Sequence, residues 1–262
     1  MTRKGSVMTG SDVLTDEVIA EKWAEVADSI EIVTSRTQDP NAFTVRPSSE
    51  LSDDDVASHP YRLSQTARWC LNAGVDNLHA LKCLVIDNGI LHSAAPYGLV
   101  RGALENFGAG FWMLHPRDRA TRVARGLRWW AKNFTDSDKA TSGTPTYTPL
   151  QPMFDNIVEV AKSAGIKKPD ATLAGYTSTE ALGYANKHSQ ATRPHLCWQV
   201  CSGFAHGRPW ANIGMNAMEQ LSTTEDVITV KLTTDHKRLL AVTWPAVMLL
   251  EDFLRLYQDR AN

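Results

Sequence analysis

One stretch of sixteen residues, 99–114, constrains the fold most, because it reads as a helix that is apolar on nearly every side. Its only charged residues are Arg101 and Glu105. On a helical wheel, large apolar side chains occupy one side and small residues such as Gly102 and Ala109 another. A helix without a polar face must be surrounded by other elements. The chain therefore needs several helices around this one, with one neighbour close against the small residues.

Apolar residues at helical spacing predict further helices on both sides of this segment. The predicted ranges are 12–36, 61–87, 96–114, a helix from after Pro116 to about 134, 152–164, 178–188, 194–206 and 235–260. An alternating, β-branched stretch at 226–232 is the one strand candidate, as half of a hairpin or as an extended loop. Stretches that lack helical spacing predict loops at about 37–60 and 135–151. We expect an all-α fold: a single-domain bundle of antiparallel helices over 1–262, with at most a minor β hairpin near 226–233.

The charge balance excludes a strong overall attraction to polyanions. The chain has 27 Lys and Arg against 29 Asp and Glu, a net charge of −2, so only a local patch could attract nucleic acid or an anionic membrane. No apolar run approaches the roughly 20 residues that span a bilayer, and the first residues lack the apolar core of a secretory signal. The four cysteines include no CxxC pair and suit free thiols in a reducing compartment. We expect a cytoplasmic protein with no membrane partner, cofactor or metal.

Arg101 and Glu105 form a predicted ion pair one helical turn apart on the apolar helix. We expect the pair to be buried, and removing one partner of a buried pair costs about 3–5 kcal/mol. One interpretation is an anion-binding arginine oriented by a carboxylate. The other is an ion pair that ties the helix to its neighbours or emerges at the rim of the fold.

A polar line follows one face of the predicted helix at 194–206. His195, Gln199, Ser202 and His206 recur at helical spacing beside Trp198, and this line contains no Lys or Glu. The histidine reference pKa of about 6.5 suits general acid–base chemistry. Ser202 and His206 are spaced for a hydrogen bond that could activate the serine. The alternative is an ordinary solvated helix face.

The predicted helix after Pro116 is strongly basic. Residues 117–132 contain six basic residues and one acid. Trp129 lies off the regular apolar stripe and, on the wheel, points towards Arg122 and Arg125. An outward tryptophan among arginines suits a protein partner, a phosphate-bearing ligand or RNA. Alternatively, the arginines form the solvated side of an amphipathic helix.

The order of these features resembles HEPN-like helical proteins of toxin–antitoxin and antiviral systems. The resemblance covers about residues 61–134 and 194–207: a long second helix, the segment LVRGALE at 99–105 and the segment CSGFAHG at 201–207. In that family an Arg and a His on one helix, with four to six residues between them, cleave RNA at a dimer interface. Here position 201 is Cys201 and Arg193 lies too early, so of that motif only His206 matches.

Two functions follow as expectations. The resemblance implies a HEPN-like protein that binds RNA or a nucleotide, works as a homodimer and cleaves RNA without a metal. In that role His206 would act as the base, Arg101 would hold phosphate and Glu105 would orient Arg101. The alternative is a non-catalytic regulatory protein, associated with phage or defence, whose arginine–tryptophan helix docks a partner. A site would require Arg101, Glu105 and His206 to converge on one cleft.

Overall fold

The computed structural model describes residues 15–262, and its secondary structure is overwhelmingly helical. The elements, in chain order, are α1 Asp16–Gln38, α2 Glu50–Ala57, α3 Leu63–Lys82 with a π-helical turn Cys83–Asp87, α4 Ala95–Leu114, α5 Arg119–Thr141, α6 Leu150–Ser163, a 3-10 helix Pro169–Ala174, α7 Ser178–His188, α8 Pro194–Ala205, α9 Pro209–Met215, β1 Ala217–Thr223, β2 Ile228–Thr233 and α10 His236–Ala261. The all-α prediction with a minor hairpin is confirmed. The expected start of the first helix, at residue 12, lies outside the described residues.

Helix α4 lies at the centre of the main core, as its apolar surface predicts. It packs against α3, α7, α8 and α10, and Val100, Leu104 and Phe107 are fully buried. The small residues permit close approach: a Cβ at Gly102 would lie 2.7 Å from Asn77 Oδ1 of α3. A second, smaller core joins α5, α6 and the 3-10 helix.

Helix α10 runs continuously through Pro245 and packs against α4. A proline cannot donate to the carbonyl four residues earlier. That carbonyl, on Ala241, instead faces the thiol of Cys197, whose Sγ lies 3.8 Å from it. Burial raises the pKa of the Cys197 thiol to about 11, so this cysteine stays a neutral donor near pH 7. All four cysteines are free.

The two predicted loops are shorter than expected. The stretch 37–60 contains helix α2, which begins at the N-cap Ser49, whose hydroxyl accepts a hydrogen bond from the Ser52 amide. Its Asp54 is buried against α5, so a tertiary contact holds a segment that lacks helical periodicity. Helix α5 also continues to Thr141, seven residues beyond the predicted end.

The hairpin prediction is confirmed at β2, but its partner β1 was not predicted. The two strands pair antiparallel, and the register shifts between Gln220 and Ser222. Within the described chain, the sheet has these two strands alone. Among the described helices, none is long and apolar enough to cross a membrane.

Candidate functional site

Helix α8 carries the predicted polar line, and three local features set its position. Arg193, at the N-cap, adopts a left-handed backbone with φ 50°, and Pro194 opens the helix. Gly207 ends it with φ 62°, a conformation that suits glycine. Phe204 stacks on Tyr97 of α4, with ring centroids 3.7 Å apart. The apolar face of α8 is therefore fixed on α4, and its polar line faces outward.

Arg101 and Glu105 do form the predicted pair, with Arg101 Nε 3.0 Å from Glu105 Oε1. The expected deep burial is wrong, because both side chains are 28 % exposed. Glu105 Oε1 also accepts a hydrogen bond from Trp198 Nε1 at 2.7 Å. The carboxylate thus ties α4 to α8 and holds the Trp198 indole in place.

The outer side of Trp198 lines a groove of about 550 Å³, here called groove 1. The predicted residues Gln199, Ser202 and His206 line it as well. The full lining is Thr179, Leu196, Trp198, Gln199, Ser202, Gly203, His206, Arg208 and Trp210. Arg101 and Glu105 are not among these residues, so the three-residue cleft expected from Arg101, Glu105 and His206 is not formed along groove 1.

His206 lies at the C-cap of α8, and its side chain is exposed. The His206 amide donates to the Ser202 carbonyl at 3.1 Å, but within residues 15–262 the two side chains share no hydrogen bond, so the predicted activation of Ser202 is not seen. Ser202 lies about one turn before the end of α8, whereas His206 is the C-cap and no longer has helical backbone angles. A ligand in groove 1 could reach both side chains.

Two unpredicted residues complete groove 1. Arg208 and Trp210 follow the glycine that ends α8, and Trp210 is 57 % exposed. Gly203 of α8 lets α9 approach closely, because a Cβ at this position would lie 2.5 Å from the Ala211 Cβ and 2.9 Å from the Trp210 ring. The signal in the sequence is an arginine and a tryptophan around Pro209, directly after the helix end.

His195 is the one member of the polar line that lies outside groove 1. Its ring stacks on Trp198, with centroids 5.7 Å apart, and it lines a second groove of about 540 Å³, here called groove 2. The lining residues are Trp112, Arg125, Thr179, Glu180, Gly183, Tyr184, Asn186, Lys187, His188 and His195. Both grooves include Thr179, so they are neighbours on the same surface.

Arg125, a predicted binding residue, lines groove 2. It does not lie beside Trp129 on an open helix face, as the sequence predicted. Its guanidinium carbon lies 4.2 Å from the Tyr184 ring centroid and 4.9 Å from that of Trp112. Its Nη1 donates to the Trp112 carbonyl at 2.6 Å. The side chain is therefore held between α4 and α7.

The prediction of an exposed arginine–tryptophan face on α5 is wrong at two positions. Arg122 is only 2 % exposed and donates from Nε and Nη2 to the two carboxylate oxygens of Asp54, at 2.7 and 2.9 Å. Trp129 is half-buried and packs against the main core beside Cys70 and Tyr176. The wheel placed both residues away from the apolar stripe, but α2 and the segment before α7 cover that side of α5.

No family model, no curated protein and no solved structure matches the chain. Among the described residues, no cluster of three or more His, Cys, Asp or Glu side chains is arranged to hold a metal ion.

Proposed function

We propose that the protein binds single-stranded RNA or a nucleotide, with bases stacked in groove 1. The observation that carries this proposal is the composition of the groove: two indoles, Trp198 and Trp210, with Arg208 and His206 and with no carboxylate. Proteins that bind single strands combine aromatic platforms with positive charge along a groove. Glu105 fixes Trp198, so this platform is preorganised before any ligand arrives.

The proposal places the phosphate contact on Arg208 rather than on Arg101. The guanidinium of Arg101 is engaged by Glu105, whereas Arg208 forms no ion pair with a carboxylate of the described chain. In the cleavage reaction that the HEPN-like resemblance implies, His206 would accept the proton of a ribose 2′-hydroxyl. Binding in groove 1 does not require this cleavage step, so binding and cleavage are tested separately.

The test is fluorescence anisotropy with a labelled oligouridine at physiological salt. Trp210→Ala should weaken binding about 5- to 150-fold, the effect of losing one stacked base at ~1–3 kcal/mol. Trp69→Ala is the matched control, because Trp69 is 65 % exposed on α3 and lines neither groove. Equal affinities for the two variants would contradict the proposal. Incubation of the RNA with wild type and with His206→Gln, in the presence of a chelator, then tests cleavage.

A second candidate, a protein-interaction role, is favoured by the hairpin rather than by α5. Of the twelve large apolar side chains that are exposed in the described chain, four lie in the hairpin, within residues 218–228. Met218 and Ile228 are among them, 58 % and 62 % exposed. Both edges of the two-stranded sheet are unpaired among the described residues, and an open edge is a template for strand addition. A second copy of the chain could extend this sheet symmetrically.

Sedimentation of wild type and of the double variant Met218→Ser, Ile228→Ser tests that candidate. A wild-type dimer that the double variant converts to a monomer would support it, and a monomeric wild type at high micromolar concentration would exclude pairing with a second copy.

A further inference from the structure

Groove 2 collects positive charge that no carboxylate neutralises. Its lining includes Arg125 and Lys187, together with His188 and His195. The one acid in the lining, Glu180, is already held by Arg128 through bonds of 2.8 and 2.7 Å. The groove therefore has a net positive charge at its surface.

Arg125 is prepared for an anionic ligand. One N–H donates to the Trp112 carbonyl and the guanidinium lies over two aromatic rings, so the side chain is immobilised. No carboxylate of the described chain lies within ion-pair distance of it. An immobilised guanidinium with free N–H groups is suited to the paired hydrogen bonds that phosphate oxygens accept.

Two histidines near Arg125 belong to the same environment. His195 lines the groove, and its Nε2 is buried without a hydrogen-bond partner among the described residues. His115, which hydrogen bonds to Tyr184 at 2.9 Å, has a lowered pKa because of burial first, and then because of the positive charges of His188, Arg260 and Arg125. The smaller, electrostatic part of this shift agrees with positive charge near groove 2.

We propose that groove 2 binds a phosphate monoester, either the phosphate of a nucleotide or the 5′-terminal phosphate of an RNA strand. Two full cations and two histidines match a monoester, which carries about −1.5 to −2 near pH 7, better than a diester with a single charge. The stacked pair of His195 and Trp198 joins the two grooves, so a strand in groove 1 would place its end beside groove 2. The identity of the phosphate carrier rests on the proposed function, but the phosphate site does not.

The experiment compares 5′-phosphorylated and 5′-hydroxyl forms of one short oligouridine, with inorganic phosphate as competitor. Wild type should prefer the phosphorylated strand at least about tenfold, the effect of one good charged contact. Lys187→Gln should lose most of this preference and keep its affinity for the hydroxyl strand. Lys187 is exposed near the end of α7, so the change leaves folding intact. Lys167→Gln, at an exposed lysine outside both grooves, is the matched control.

Arg125→Lys provides a second test, with a thermal melt to confirm that the variant is folded. It should abolish the preference, because lysine cannot reproduce the paired donors. If both strands bind equally and phosphate does not compete, the phosphate site is overturned while RNA binding in groove 1 stands. If neither strand binds but inorganic phosphate shifts the His188 and His195 resonances in wild type and not in Arg125→Lys, the phosphate site stands and the RNA proposal fails. If phosphate shifts no resonance and neither strand binds, both fail.

Discussion

The ion pair between Asp54 and Arg122 should be the most sensitive polar contact in the fold. Asp54 has no exposed surface, and Arg122 is 2 % exposed. Besides the two bonds to Asp54, Arg122 Nη1 donates to the carbonyls of Pro116 and Arg117 at 3.1 and 2.8 Å. The perturbation we consider is Asp54→Ala, which leaves this guanidinium buried without its main partner.

The size of the effect follows from what remains around Arg122. Removing one partner of a buried pair typically costs about 3–5 kcal/mol. Here Glu50 Oε2 lies 3.4 Å from Arg122 Nη2 and is itself largely exposed, so it offsets part of the loss. We therefore expect a decrease of about 3 kcal/mol in the free energy of unfolding, near the lower end of that range. Since each kcal/mol lowers the melting temperature by about 2–4 °C in domains of 150–250 residues, the shift should be about 6–12 °C.

Arg122→Met removes the other partner of the pair, and the stability that it costs should depend on pH. Burial already raises the pKa of the Asp54 carboxyl, against the opposing effect of Arg122, and removing the arginine raises it further. A raised folded-state pKa favours the folded protein at low pH and loses that contribution as pH rises. Arg122→Met should thus cost more stability at pH 8 than at pH 5.

Urea denaturation followed by circular dichroism measures these free energies. The double variant Asp54→Leu, Arg122→Met should recover most of the loss, because an apolar replacement of both partners is often tolerated. A loss below about 1 kcal/mol for Asp54→Ala would refute the reasoning, since such values belong to solvent-exposed pairs.

Three further predictions concern single positions. Gly110→Ala should destabilise the protein by about 1–3 kcal/mol in urea denaturation, because its Cβ would lie 2.2 Å from the Phe253 ring; Gly98→Ala on the same helix meets nothing within 4 Å and should be neutral or stabilising by up to about 1 kcal/mol. Arg101→Gln should cost about 1 kcal/mol or less, since its pair is 28 % exposed; a loss of 3 kcal/mol would contradict the observed exposure. The stability of wild type should fall as pH drops below about 6.5, the unfolded-state pKa of histidine, because the folded-state pKa of His115 is lowered and the unfolded chain takes up the proton first. His115→Gln should flatten this part of the stability profile, and an unchanged slope would assign the pH dependence to other groups.

Elements with a local signal could be predicted from the sequence. The nearly uniform apolar surface of α4 predicts its central place, and helical spacing predicts the bounds of α7 and α8 to within about a residue at most ends. The polar line on α8 was visible for the same reason, because residues a turn apart on one helix share a face whatever surrounds them. Three of its four residues do line one groove.

Which polar residues meet, and which are covered, depends on how the helices pack together. Asp54 and Arg122 are separated by 68 positions along the chain, and a helical wheel describes one helix without its neighbours. It therefore placed Arg122 on a solvated side that α2 in fact covers. Arg208 and Trp210 enter groove 1 because the chain turns after Gly207 and packs α9 against Gly203. Periodicity reports the direction of a side chain from its own helix axis, whereas a site depends on how separate helices approach one another.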